Sequence, residues 1–353
     1  MRMTQPAKTA TANLPLWKKI LFSLILMIGF PLAAILAIEG AGYAIMHFKY
    51  GVPGKTYGLW SYDAELGAIH STNAYNSNSE TNNHGFRNKE DVFEPKPPNS
   101  IRVIAYGGST TFCFNLETDQ AWPIRLQEEL RKYAGPKSQV LNAGAIVWSI
   151  GQELARAKRD LPRLKPDVVI IYSGLNEEAN AGHLAREGID LKQAVDSGKH
   201  GLFATNLDQS RWLKRNSMIV RYLEYLNLFA PPPNPAPVPE YPIVPEIREN
   251  FDRTLREFIE VIRKNNAKPL YVIMGGIHEI GQNRLLLRYS REGAAVAREM
   301  GVPVLDSMDL VNSYKGNKAD LFSPTGAHWS ALGAELLAKF IDEQALKAMV
   351  KPN

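Results

Sequence analysis

IRVIAYGGSTTF, Ile101 to Phe112, decides how the rest of the chain is read. Arg102 to Tyr106 are mostly apolar and β-favouring, and they run into two glycines and then Ser109. That order predicts a buried parallel strand ending in a tight turn, which delivers Ser109 to the edge of a sheet. Without Cβ atoms, Gly107 and Gly108 let the backbone bend and leave room above the serine hydroxyl for a substrate carbonyl and nearby amides. Strand-Gly-Gly-Ser also occurs as an ordinary loop, so the nucleophile reading rests on what lies downstream.

Strand and helix patterns alternate from there on. Strands are expected at Ile101 to Tyr106, Val140 to Asn142, Asp167 to Tyr172, Pro269 to Met274 and Val302 to Leu305. Helices are expected near Ile124 to Tyr133, Gln152 to Leu161, Glu246 to Asn265 and Ser330 to Met349. In the third of these, Ile247, Phe251, Leu255, Phe258, Ile259 and Ile262 recur at three- and four-residue steps, one face of a helix. Five strands with long crossovers predict an α/β fold, a parallel sheet covered by helices on both faces. The pattern breaks between Glu178 and Pro245, which reads as an insertion. It holds a candidate helix, Arg211 to Phe229, and then a proline-rich run, Pro231 to Pro245, expected to be a stiff extended spacer.

The 353 residues carry a formal charge of +5, but Arg2, Lys8, Lys18 and Lys19 supply four of those charges ahead of the first apolar run. The remainder is close to neutral, so nucleic acid is not an expected partner. The single cysteine, Cys113, excludes an internal disulfide and a cysteine-based metal site. Ile20 to Ile38 are nineteen residues without a charge, and apolar character resumes from Ala41 to Phe48. That length predicts an uncleaved, single-pass transmembrane anchor, in which Pro31 is tolerated; a cleavable signal peptide has a shorter apolar core. Basic residues before the run place that end in the cytoplasm and the rest outside. The expected organisation is a basic tail (1–19), an anchor (20–48), a connector (49–100) and a catalytic domain (101–353) with an insertion at about 178–245. Within the connector, NNHGFRNKE, Asn82 to Glu90, mixes aromatic and basic residues beside a glycine and is expected to be ordered.

Ligands of an open parallel sheet bind beyond the carboxyl ends of its strands. Ser109 follows the first strand, Asn142-Ala143-Gly144 the second, and SGLNE, Ser173 to Glu177, the third; HWSALG, His328 to Gly333, precedes the last helix. These blocks supply a hydroxyl, a glycine amide, a neutral side-chain amide and an imidazole, the set that acyl transfer needs. All four, in this order over about 250 residues, resemble the signature blocks of the SGNH, or GDSL-type, hydrolase superfamily. The resemblance implies a flavodoxin-like three-layer α/β/α sandwich. It also implies Ser109 as nucleophile and oxyanion donor through its amide, Gly144 and Asn176 as further oxyanion donors, and His328 as base. The Gly-Phe-Arg piece and the anchor are similar to those of membrane-anchored bacterial members, some of which work on envelope polysaccharides. The His-Trp-Ser run resembles that of alginate O-acetylation proteins.

Two positions depart from the family pattern. Gly-Asp-Ser reads Gly-Gly-Ser, and the acid expected three residues before the histidine is Thr325. A serine-histidine dyad is therefore expected, with a backbone carbonyl or the Thr325 hydroxyl fixing the tautomer, and Asp320 as the alternative partner. His278 and Glu279 follow the fourth strand and could touch substrate or simply cap a turn. Seven scattered histidines and the lack of a phosphate loop give no reason to expect a metal or other cofactor. The expected function is an extracytoplasmic serine esterase or O-acyltransferase in the bacterial inner membrane, its domain in the periplasm, working on acyl esters of carbohydrate or other envelope components. Envelope proteins are possible partners. The alternative is an inactive carbohydrate-binding or assembly subunit on the same fold; a nucleotide binder is disfavoured because the first loop lacks a phosphate cradle.

Overall fold

The computed structural model describes residues 15–50, 54–76, 78–177, 217, 219, 245–276, 287–323, 326 and 328–350. Two compact units are present, Met1–Lys49 with Leu213–Pro231, and Tyr50–Trp212 with Pro232–Asn353. In the first, α1 (Leu16–Leu24) passes through a π-turn (Ile25–Gly29) into α2 (Phe30–Tyr50), which carries Pro31 at its start. Leu16–Ile45 is long and apolar enough to cross a membrane, and none of it is buried within the protein, which suits a membrane span or a signal sequence. Glu39, the single acid of α2, accepts hydrogen bonds from the Ser217 hydroxyl and, at 3.3 Å, from the Ile219 amide. Apart from those two residues, the candidate helix Arg211 to Phe229 lies outside the described residues, as does the proline-rich run up to Pro245.

The second unit begins with short strands that the sequence pattern did not predict. β1 (Thr56–Tyr57) pairs parallel with β4 (Ala74–Tyr75), and β2 (Trp60–Asp63) pairs antiparallel with β3 (Gly67–His70). Strands of two to four residues are too short to display a hydrophobic period, so the connector reads as irregular until its partners are in place.

The expected five-stranded parallel sheet follows. Its elements are β5 (Arg102–Gly107), α3 (Ser109–Phe112), α4 (Trp122–Ala134), β6 (Gln139–Asn142), α5 (Ile150–Leu164) and β7 (Val168–Tyr172). After the insertion come α6 (Pro245–Lys264), β8 (Lys268–Ile273), α7 (Arg288–Glu299), β9 (Val304–Asp306) and α8 (Ser307–Ser313). Then α9 (Ala331–Ile341) continues through a π-turn (Asp342–Leu346) into α10 (Lys347–Val350). Strand order is β6-β5-β7-β8-β9, all parallel. The chain leaves β5 first to one side and then to the other, so the carboxyl end of β5 is a topological switch point, where a ligand crevice opens.

Side chains alternate along β5. Val103 and Ala105 face a core filled by Leu126 of α4 and Leu337 and Ile341 of α9. Ile104 and Tyr106 face the opposite core, with Leu154 of α5, Phe258 and Ile259 of α6, and Ala294 of α7. The helix stripe read from the sequence, Ile247 to Ile262, is buried at every position. The outcome is the three-layer sandwich.

The connector closes the exposed edge of β6. Arg87 N donates to Asn142 O at 2.9 Å, the Asn88 side-chain amide donates to Val140 O at 2.9 Å, and Asn142 N donates to Asn88 Oδ1 at 2.9 Å. One asparagine side chain thus substitutes for a neighbouring strand, a blunted edge. Asn88→Ala leaves a buried carbonyl and a buried amide unpaired. It is expected to cost about 2 kcal/mol, read as a lower denaturant midpoint with an unchanged slope.

Candidate active site

Gly107 and Gly108 are required by close approach rather than by backbone conformation. Neither has a positive φ. A Cβ on Gly107 would fall 2.1 Å from Thr111 Oγ1 and 2.4 Å from Tyr172 O, and one on Gly108 would fall 2.5 Å from Asn176 Nδ2. Ser109 then opens α3, buried, with its Oγ 2.9 Å from His328 Nε2. The turn ends at Cys113, in the left-handed region with φ 58°. Burial pushes the Cys113 thiol up to about 11, so it is neutral at ordinary pH and leaves the serine as the nucleophile candidate.

His328 sits in the loop between a 3-10 turn (Lys318–Leu321) and α9, held by its neighbour Trp329. The Trp329 indole N–H donates to Tyr172 Oη at 2.8 Å, and its ring stacks on Phe322 with centroids 4.7 Å apart. His328 O accepts from Ser323 N at 2.7 Å, and the Phe114 ring meets the imidazole edge-on at 4.7 Å. Burial lowers the imidazole to about 4, so at neutral pH Nε2 or Nδ1 carries a lone pair and the ring can take a proton from Ser109. Asp320, the alternative orienting acid, is exposed; its carboxylate accepts from Asn317 Nδ2 at 3.0 Å and its carbonyl from Ser330 Oγ at 2.6 Å. Thr325, His278 and Glu279 lie outside the described residues.

The other two expected donors are placed differently. Asn176 projects its Nδ2 between Gly108 and the loop before α5, donating to Trp148 O at 2.6 Å. An amide NH2 has a second hydrogen to offer. Gly144 N instead donates to Asn142 Oδ1 at 3.0 Å, and Asn142 Nδ2 donates to Thr111 O at 3.0 Å. A Cβ at position 144 would sit 2.3 Å from Phe112 N, so Gly144 enters as a close-packed spacer behind α3. The oxyanion role expected of its amide requires that hydrogen bond to be given up. Val147, farther along the same loop, has φ 63°, a strained conformation for a β-branched residue.

Arg87, from the Gly-Phe-Arg piece, is a buttress whose partners the sequence did not reveal. Fully buried, its guanidinium donates to Leu116 O at 2.5 Å and to Ser79 Oγ at 3.0 Å, and it lies over the Phe112 ring, 4.7 Å from the centroid. Burial lowers it to about 10, so it remains a cation and fixes both the end of α3 and the loop beyond.

The model of the GDSL-like lipase/acylhydrolase family matches residues 105–336, from the strand before Ser109 to the helix after His328. The chain belongs to this family. Similar solved structures include a lipase/acylhydrolase from Enterococcus faecalis, 15% identical with a TM-score of 0.44, covering 72% of this chain and 98% of its own. An acetyl xylan esterase from Geobacillus stearothermophilus is 17% identical, with a TM-score of 0.44 and coverage of 71% and 97%. A GDSL-like lipase from Bacteroides thetaiotaomicron is 14% identical, with a TM-score of 0.38 and coverage of 70% and 88%. No curated protein matches the chain.

Against the family's Gly-Asp-Ser pattern, Gly108 gives up a carboxylate and gains the space that Asn176 Nδ2 occupies. Gly108→Ala is expected to destabilise the protein by about 1–3 kcal/mol, because the added methyl displaces that amide. Combined with Asn176→Ala, most of the penalty should vanish; a double-mutant cycle in denaturant measures the coupling, and additive effects would disprove the close approach.

Proposed function

We propose that the protein is a membrane-anchored, extracytoplasmic serine esterase or O-acyltransferase acting on acyl esters of carbohydrate or related envelope components. The observation that carries this reading is the 2.9 Å contact between Ser109 Oγ and His328 Nε2 at the switch point of the sheet. Ser109 Oγ attacks the acyl carbonyl while His328 Nε2 takes its proton. The developing oxyanion is met by the Ser109 amide and the second hydrogen of Asn176 Nδ2. Collapse of the tetrahedral species breaks the ester bond, and the departing alkoxide takes the proton from His328. Water, or a sugar hydroxyl in the transferase, then attacks the acyl-serine, with His328 again accepting and returning a proton. The depressed imidazole makes a weak base, and the site's donors must make up the difference as charge develops.

The extracytoplasmic placement is supported by four basic residues and no acid before the uncharged run that starts at Ile20. A carboxyl-terminal reporter that is active only in the periplasm should give signal, whereas activity of a cytoplasm-only reporter would reverse the orientation.

A serine-directed phosphonate should label Ser109, and either Ser109→Ala or His328→Ala should abolish hydrolysis of a small acetyl ester in a folded protein. Unchanged turnover by Ser109→Ala would falsify the mechanism. Asn176→Ala is expected to lower kcat by on the order of a hundredfold with a smaller change in KM. Because its carboxylate is engaged by Asn317, Asp320→Asn should leave most of the activity; a loss of several orders of magnitude would make Asp320 the orienting acid.

A further inference from the structure

Two buried carboxyl groups lie beside the site and take no part in the steps above. Glu153, on α5, is 1% exposed, and Glu177, directly after Asn176, is 5% exposed. They belong to a set of hydrogen bonds that join the loop after β7 to the start of α5. Asn176 Nδ2 donates to Trp148 O at 2.6 Å, Ile150 N donates to Glu177 Oε1 at 2.7 Å, and the Ser173 hydroxyl donates to Glu153 Oε2. Glu153 also lines the narrow cleft that contains Ser109, Trp148, Leu175 and Asn176.

We infer that Glu177 is a positioning residue for the Asn176 donor, an anion that clamps the β7 loop to the amino-terminal end of α5, with Glu153 as its neutral neighbour. This role rests on the oxyanion reading of Asn176. Burial penalises charge on both, Glu177 adds to the penalty on Glu153, and the surroundings divide them. Glu177 accepts from the Ile150 amide, the backbone amides of Gly174 and of Glu177 itself also favour its anion, and it faces the positive end of a fifteen-residue helix. Glu153 has the Ser173 hydroxyl, so it is the one that keeps the proton. Among the described residues, the titratable groups that act on or respond to the pair are each other and the Tyr271 phenol from β8, which donates to Ser290 O at 2.8 Å. Burial pushes Glu177 up to about 7, against those amides, while burial and then Glu177 hold Glu153 well above the usual carboxylate range. Protonation of Glu177 weakens its hold on Ile150 and frees the loop that carries Asn176. The productive form is therefore the anion, and turnover rises with pH as it forms. The base itself titrates lower, with His328 near 4, so the two acid limbs are separate.

The test measures kcat and KM of the full-length protein for a small acetyl ester from about pH 4 to about pH 9, with Ser109 phosphonate labelling in parallel. Wild type should show kcat rising through about 7. Glu177→Gln should lower kcat about tenfold or more at high pH with KM within about threefold, and should lose that limb. Glu153→Gln replaces one neutral residue by another, so it should retain kcat within about threefold and leave the limb where it is. Glu177→Gln with full kcat and the limb intact overturns the role. Should Glu177→Gln fail to fold, Glu153→Gln decides, because a limb lost with Glu153 assigns the titration to Glu153 and overturns the role. If wild-type Ser109 is labelled but Glu177→Gln is labelled at the same rate, the positioning role fails alone. Absence of wild-type labelling overturns the serine reading and this role with it.

Discussion

The close approach of the β5–α3 turn to its neighbours is the constraint on which the rest of the site depends. Where Cβ atoms at 107 and 108 would lie, the structure has the Thr111 hydroxyl, the Tyr172 carbonyl and the Asn176 amide. Filling that space would move Ser109 relative to both His328 and Asn176. The same turn is pressed from behind by Gly144, against Phe112, and from the connector by Arg87, over the Phe112 ring. A four-residue helix has little stability of its own, so α3 holds its geometry only because each side is in contact with something rigid.

Burial sets the chemistry as well as the packing. It removes water from His328 and keeps the imidazole neutral, ready to accept a proton, at the cost of base strength. The same removal of water strengthens each remaining dipole aimed at the site. Folding contributes a further sign. The lowered imidazole resists protonation in the folded protein, so acidification below the ordinary histidine range draws on stability as well as on activity.

Polar groups without a solvent path gather around this end of the sheet. Arg87 has carbonyl and hydroxyl acceptors in place of a carboxylate, Glu153 has the Ser173 hydroxyl, and Glu177 has the Ile150 amide. Each is costly to bury, and each ties together segments far apart in the chain. Arg87 joins the connector to the loop after α3, and Glu177 joins the β7 loop to α5. Their contribution is orientation of the loops, in a region where the regular hydrogen bonds of the sheet have ended.

The sequence by itself determined the elements whose signal is local. The five strands, the α6 stripe and the apolar helix are legible because a period of two or 3.6, or a long uncharged run, records which way each residue faces. Ser109 and His328 were legible because they follow or precede such elements at a sheet's carboxyl end. Their pairing was expected only through the family resemblance, since 219 residues separate the two side chains that meet at 2.9 Å. The connector's short strands, the Asn88 cover on β6, and the partners of Arg87 leave no period in the chain. Nor does spacing reveal that the Gly144 amide is committed to Asn142, or that Gly108 makes room for Asn176. Those were decided by tertiary structure, because hydrogen-bond direction and close packing depend on partners that only folding brings within reach.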